Sequence, residues 1–231
     1  MSWLLATSNP SPAYITRVAR VFNNNGRGIR GDLRAVVEAI LLDPEARGAD
    51  KSGTAQYGRL KEPVQFVTNV LRLFNPRSAD GLALSDGVIN GQTTPMGQDV
   101  LRPPTVFSYF PSDWPVPGPE ELIGPEFGIL SAATALRRAN FVNTMVFNRI
   151  NAGGNTPNGT SIDLAPLQAL AGNPATLVDE VNRLMLHGTM SAEMRTSIVN
   201  AVTAVSAANT LKRARTAVYL VATSSQYQVQ R

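Results

Sequence analysis

The chain contains no cysteine. Disulfides, thiolate nucleophiles and Cys-ligated zinc are therefore excluded. It has one histidine, His187. Three-His zinc sites and the two-His zinc helix of metalloproteases are impossible, and no zinc is expected. Charge is scarce, at 16% of residues, and aromatics make up only 6%. No apolar run approaches the length of a membrane span. The opening Met1-Ser2-Trp3-Leu4-Leu5-Ala6 lacks a basic stretch and a full apolar segment, so it does not read as a complete signal peptide. The period-two alternation of strands is weak throughout, and there is no internal repeat. Absence of cysteine suits the cytoplasm and also an exported protein that avoids mispairing, so it leaves the compartment open.

What is present is apolar material and punctuation. Hydrophobic residues make up 43% of the 231 residues, enough for one large domain or two small ones. Eighteen glycines and sixteen prolines gather between the periodic segments, which predicts long ordered loops. The net charge is +4. Twelve basic and ten acidic residues precede Val116, and nine and seven follow Pro115, so no basic arm exists. Nucleic acid is not an expected partner.

Helical periodicity dominates. Ser11-Pro12 starts a helix with Tyr14, Val18, Val21 and Phe22 on one face, ended by Asn23-Asn24-Asn25-Gly26. Asp32 caps a second, with Leu33, Val36, Val37, Ile40 and Leu41 facing inward. Glu62-Pro63 opens a third, whose stripe is Phe66, Val67, Val70, Leu71 and Phe74. An irregular stretch then runs from about Asn75 to Phe127, with a short helix expected near 79–89. Further helices are read from Leu130 to Ile150 (burying Leu136, Phe141, Met145 and Phe147), Asp163 to Leu170, Asn173 to His187, Ser191 to Ala207 and Asn209 to Thr223. The expectation is an all-α, irregular bundle of about eight helices with one long ordered Pro/aromatic-rich loop. Its parts are N-terminal helices 1–74, the loop region 75–128 and a C-terminal bundle 129–231, together one compact domain.

Several stretches carry a family resemblance. These are Thr7-Ser8-Asn9-Pro10-Ser11-Pro12-Ala13-Tyr14, Gly31-Asp32-Leu33-Arg34-Ala35-Val36-Val37 and Ile40-Leu41-Leu42-Asp43-Pro44-Glu45-Ala46-Arg47. Lys61-Glu62-Pro63, Phe107-Ser108-Tyr109-Phe110-Pro111, Gly124-Pro125-Glu126-Phe127 and Arg215-Thr216-Ala217-Val218-Tyr219-Leu220 follow in order, and Gln226 to Arg231 closes the set. Together they resemble the C-terminal part of the bacterial family called domain of unknown function 1800. The resemblance implies relatives that are typically longer and often exported to the periplasm or envelope, and it supplies no general activity. It leads us to expect the C-terminal portion of such an architecture.

The candidate chemistry is thin. Gly26-Arg27-Gly28-Ile29-Arg30-Gly31 fits a dinucleotide pattern, but a helix precedes it where a strand is needed, so no nucleotide is expected. His187 is the one residue able to serve a Ser–His–acid triad. It also sits at a helix end, where a cation meets the helix dipole. Asp113, Glu120 and Glu126, with Glu121, flank an aromatic loop whose Tyr109, Phe110 and Trp114 suit sugar platforms or a cleft lining. A metal would have to be hard, with oxygen ligands such as Asn155, Asn158 and Asp163, or Asp86 with Asn90, which points to Ca²⁺ or Mg²⁺. The basic pairs Arg137-Arg138 and Lys212-Arg213 read as solvated helix faces. Two functions follow: a helical binding or assembly module, or a hydrolase of esters, lactones or glycosides assisted by such a cation.

Overall fold

A computed structural model describes residues 6–47, 57–118 and 121–230. The chain is mostly helical. In order come α1 (Pro12–Asn23), α2 (Leu33–Leu42), α3 (Pro44–Arg47), β1 (Arg59–Leu60), α4 (Pro63–Leu73), α5 (Asn90–Thr93) and a 3₁₀ turn (Thr94–Met96). A second 3₁₀ turn (Pro125–Ile129), α6 (Ala132–Phe147), α7 (Ala165–Leu170), α8 (Pro174–Leu186), α9 (Ala192–Ala204), α10 (Thr210–Ala222), α11 (Ser225–Gln228) and β2 (Val229–Gln230) complete it. Among the described residues no helix is long and apolar enough to cross a membrane. The chain divides into two compact units. The first comprises residues 1–60, 110–128 and 229–231, and the second 61–109 and 129–228.

The helix starts follow their caps. Ser11 accepts the Tyr14 amide at 3.1 Å, Asp32 the Arg34 and Ala35 amides at 3.1 and 3.2 Å, and Asn173 the Ala175 and Thr176 amides at 3.0 and 3.2 Å. Each satisfies a donor that the first helical turn leaves over. The α1–α2 connection is the glycine pattern noted above. Asn24 Oδ1 accepts from the amides of Gly26 and Gly28, and Asn25 Oδ1 from those of Arg27 and Ile29.

The first unit has a small core. Tyr14, Val36 and Ile40 are its buried hydrophobic centre, flanked by Ala6, Val18 and Ala46. Polar clasps do much of the holding. The Tyr14 hydroxyl donates to the Ile40 carbonyl at 2.6 Å. Arg17 grips Asp43 with two bonds of 2.7 Å, and Glu45 accepts from both the amide and the hydroxyl of Ser11. The Asn9 side chain pairs with the backbone of Ile123 like a short strand, donating at 2.9 Å and accepting at 2.8 Å. β1 and β2 pair antiparallel, Arg59 opposite Gln230. A three-residue core cannot cover two amphipathic helices. Phe22, Leu33 and Leu41, expected to face inward, are exposed, and Arg30 lies over the Phe22 ring instead.

The second unit is built around α10, which packs against α6, α7, α8 and α9. Its buried face carries Ala214, Ala217, Val218, Val221 and Ala222. Small residues there let four neighbours approach one axis. The stripe expected on α4 is buried as read, from Phe66 to Phe74. Two expectations fail. No helix forms over 79–89, because Ser78 and Asp80 capture the amides of Ala83 and Leu82 in a turn. Leu136 is exposed, and the buried stripe of α6 is Arg138, Phe141, Val142, Met145 and Val146. Arg213 is buried as well. It donates to the carbonyls of Val205 and Ala171, the C-caps of α9 and α7. A cation there meets the negative ends of two helices. Neither arginine lies on a solvated face.

Candidate functional site

Of the acidic and basic residues singled out in the sequence, Asp113 and Glu126 belong to the first unit and His187 to the second. Asp113 is exposed, Glu126 is buried, and Glu120 lies outside the described residues. His187 is exposed at the end of α8, where it adopts a left-handed backbone with φ +53° and its amide bonds the Asn182 carbonyl. Phe110 is buried and Trp114 half-exposed in the first unit. Both press on Gly128, where a Cβ would lie 3.1 Å from Phe110 and 3.4 Å from the Trp114 ring. No group of three or more His, Asp or Glu suited to hold a metal occurs among the described residues.

Two of the oxygen-ligand candidates do meet. Asp86 Oδ2 accepts the amides of Asn158 and Gly159 at 3.1 and 3.0 Å, while its Oδ1 accepts that of Val88 at 3.2 Å. Ser85 and Thr160 hydroxyls bond beside them at 2.7 Å. The carboxylate thus ties two loops together through backbone donors. Gly159 has φ +64°, and a Cβ there would stand 2.4 Å from the Ile150 carbonyl, so the crossing needs glycine. Asn155 is exposed in the same loop, and Asp163 accepts the Ala165 amide at 2.8 Å to start α7.

The second unit displays a loop, 99–109, of unusual make-up. Its root is fixed. Met96 is buried, and buried Gln98 accepts the Val64 amide at 2.8 Å while donating to Glu62 at 2.5 Å. Gly97 turns with φ +94° against Ile129. Tyr109 closes the loop on itself: its hydroxyl donates to the Asp99 carbonyl and accepts the Arg102 amide. The tip is a tight turn in which Thr105 and Ser108 bridge and the Phe107 amide bonds Thr105 Oγ1. On this frame Leu101, Val106 and Phe107 are 92%, 95% and 81% exposed. Leu101 and Ser108 hold φ of +65° and +80°, a region costly for side-chain-bearing residues. Aromatic and apolar composition pointed to this stretch. The sequence reading placed Tyr109 as a lining residue, whereas its hydroxyl is the staple.

A second cluster surrounds Phe66 in the core of the same unit. Its ring meets Phe141 and Tyr227 edge-on, at 6.2 and 5.9 Å. Buried Lys61 places Nζ 3.6 Å from the centre of the Tyr227 ring and donates to the Tyr227 carbonyl at 2.7 Å. Burial pulls its pKa down to about 8. Arg138 lies over Phe66 at 5.4 Å and donates from Nη1 to Gln228 at 3.0 Å. Burial lowers its pKa to about 10. Arg138 could have been found from sequence, since it precedes Phe141 and Val142 by three and four positions on one helical face.

Comparison with known families gives one match. The family model described as "Protein of unknown function (DUF1800)" covers residues 1–229. No curated protein and no solved structure matches the chain.

Proposed function

The chain belongs to the DUF1800 family, and we propose that it is a binding and assembly module that docks a protein partner through loop 99–109. A family described only as of unknown function carries no reaction across, so the reading rests on the loop itself. The observation that carries it is the near-complete exposure of Leu101, Val106 and Phe107 on a backbone that is stapled at both ends. Exposed apolar side chains held rigid in a strained loop are a preorganised contact, because docking costs little ordering entropy. Burying each would contribute about 1.5–3 kcal/mol before docking costs.

Charge selects the class of partner. The loop has one cation, Arg102, and it faces Asp99 at 3.9 Å. A neutral tip lacks the basic fringe that draws a protein to anionic lipid. A protein cleft of apolar lining fits better. The envelope setting implied by the family resemblance is compatible with such a partner.

The test compares the full chain with Phe107→Asp and Val106→Asp. A photo-crosslinking residue at position 106, used in the native host, identifies the neighbour. That neighbour is then purified and titrated. Saturable binding lost in both variants, at unchanged melting temperature, is expected. Binding that is indifferent to both variants, or co-sedimentation with neutral and anionic vesicles in place of a protein, would overturn the reading. The hydrolase alternative is checked on the same preparation with ester, lactone and glycoside substrates, with and without Ca²⁺.

A further inference from the structure

We propose that the Nε–Nη2 edge of Arg138 is a receptor for a single oxyanion, a carboxylate or phosphate, held between α6 and the Tyr227–Gln228 segment. The inference stands apart from loop 99–109. Arg138 is 2% exposed, yet its Nε and Nη2 have no hydrogen-bond partner. Its third nitrogen, Nη1, is taken by Gln228. The two free nitrogens are the pair that a guanidinium uses to grip a carboxylate or phosphate with two parallel bonds. The guanidinium lies over the Phe66 ring, 5.4 Å from its centre.

Two further features of the cluster point the same way. The Tyr227 hydroxyl, on a ring packed against Phe66, is also buried without a partner. Lys61 adds a second buried cation, 3.6 Å from the centre of the Tyr227 ring. Among the described residues no Asp or Glu pairs with either cation. Buried cations are normally paired, and an uncompensated one is strongly destabilising. Three unused donors, and two cations without a carboxylate partner set over the adjoining Phe66 and Tyr227 rings, are complementary to one anion. Gln228 presents a neutral acceptor to Nη1 and is itself half-buried, so the segment beside the guanidinium borders solvent.

The experiment titrates the full chain with inorganic phosphate and, separately, acetate. Ionic strength is held constant with sodium chloride, and melting temperature and calorimetric heat are read. A saturable rise of roughly 5 °C is expected for at least one oxyanion, with chloride inert. Response to phosphate alone assigns a tetrahedral ligand, and response to acetate a carboxylate. Arg138→Met should abolish the response, and Lys61→Met should weaken it several-fold. Gln228→Glu, which sets a tethered carboxylate against Nη1, should raise the melting temperature in the absence of added anion and blunt the response. A melting temperature that follows ionic strength alone overturns the proposal. So does a response that survives in Arg138→Met. Should that variant not fold, an undiminished response in Gln228→Glu overturns it equally.

Discussion

The two units reach stability by different routes. The first has a core cluster of only three buried hydrophobic residues, Tyr14, Val36 and Ile40, and relies on clasps such as Arg17–Asp43 and Ser11–Glu45. The second has a continuous apolar core spanning α4 and α6 to α11, into which Lys61, Arg138 and Arg213 are sunk. In the first, charge holds the fold together. In the second, charge is a burden that the core carries. A small core cannot supply enough burial, so geometry-specific polar bonds take its place. A large core can tolerate uncompensated cations and keep them for another use.

The comparison can be broken most directly at Phe66. Phe66→Ala removes the ring on which Arg138, Tyr227 and Phe141 rest, and should lower stability by about 3–5 kcal/mol in chemical denaturation. A smaller loss, near that of an exposed substitution, would mean the core is less continuous than described.

Next is alkaline titration. Lys61 has a folded pKa of about 8 against an ordinary 10.5. The unfolded chain therefore binds more protons than the folded one between these values, and stability should rise as pH increases from 8 to 10. Above pH 10 the Tyr227 phenol, pushed up by burial, acts in the opposite sense. Lys61→Met should remove the rise, measured as melting temperature against pH.

Acid tests the other unit. Hydrogen bonding from Arg17 holds the Asp43 carboxyl below its ordinary value, so its contribution is present above about pH 4 and lost as pH falls through the lower folded value. Asp43→Asn should flatten the acid limb of the same curve and leave the alkaline rise untouched. If both limbs changed together, the units would not be energetically separable.

Two smaller effects sharpen the picture. Tyr14→Phe strips a single buried bond to the Ile40 carbonyl and should cost about 1 kcal/mol. Tyr109→Phe releases the staple of loop 99–109. It should speed amide exchange at Leu101 to Ser108 while barely moving the melting temperature.

Much of the helical order was legible in the sequence, and the reason is local. Ser11, Asp32, Asn173 and Ser191 each announce a helix by a side chain that caps it, and His187-Gly188 ends one with two positive φ angles. The stripe from Phe66 to Phe74 repeats at the helical period. What the sequence hid depends on partners distant along the chain. Arg213 looks like a surface charge until the carbonyls of Val205 and Ala171 that it reaches are placed. Nothing in the residue pattern joins Asp86 to Asn158 and Gly159, whose amides its carboxylate accepts. The staple by Tyr109 was invisible because it uses backbone groups of Asp99 and Arg102, which no residue pattern encodes. Within the Pro/aromatic stretch, composition marked the region but could not say which aromatics would be displayed and which buried.

The pairing of β1 with β2 sets an order of events. Arg59 and Leu60 can find Gln230 and Val229 only after the whole stretch between them has been synthesised. Lys61 waits for the same stretch, since both its amide and its ammonium bond carbonyls of Tyr227 and Gln228. During synthesis β1 must therefore persist as an open edge, and Lys61 as a cation not yet covered, a state exposed to chaperones and proteases until Tyr227 to Gln230 arrive.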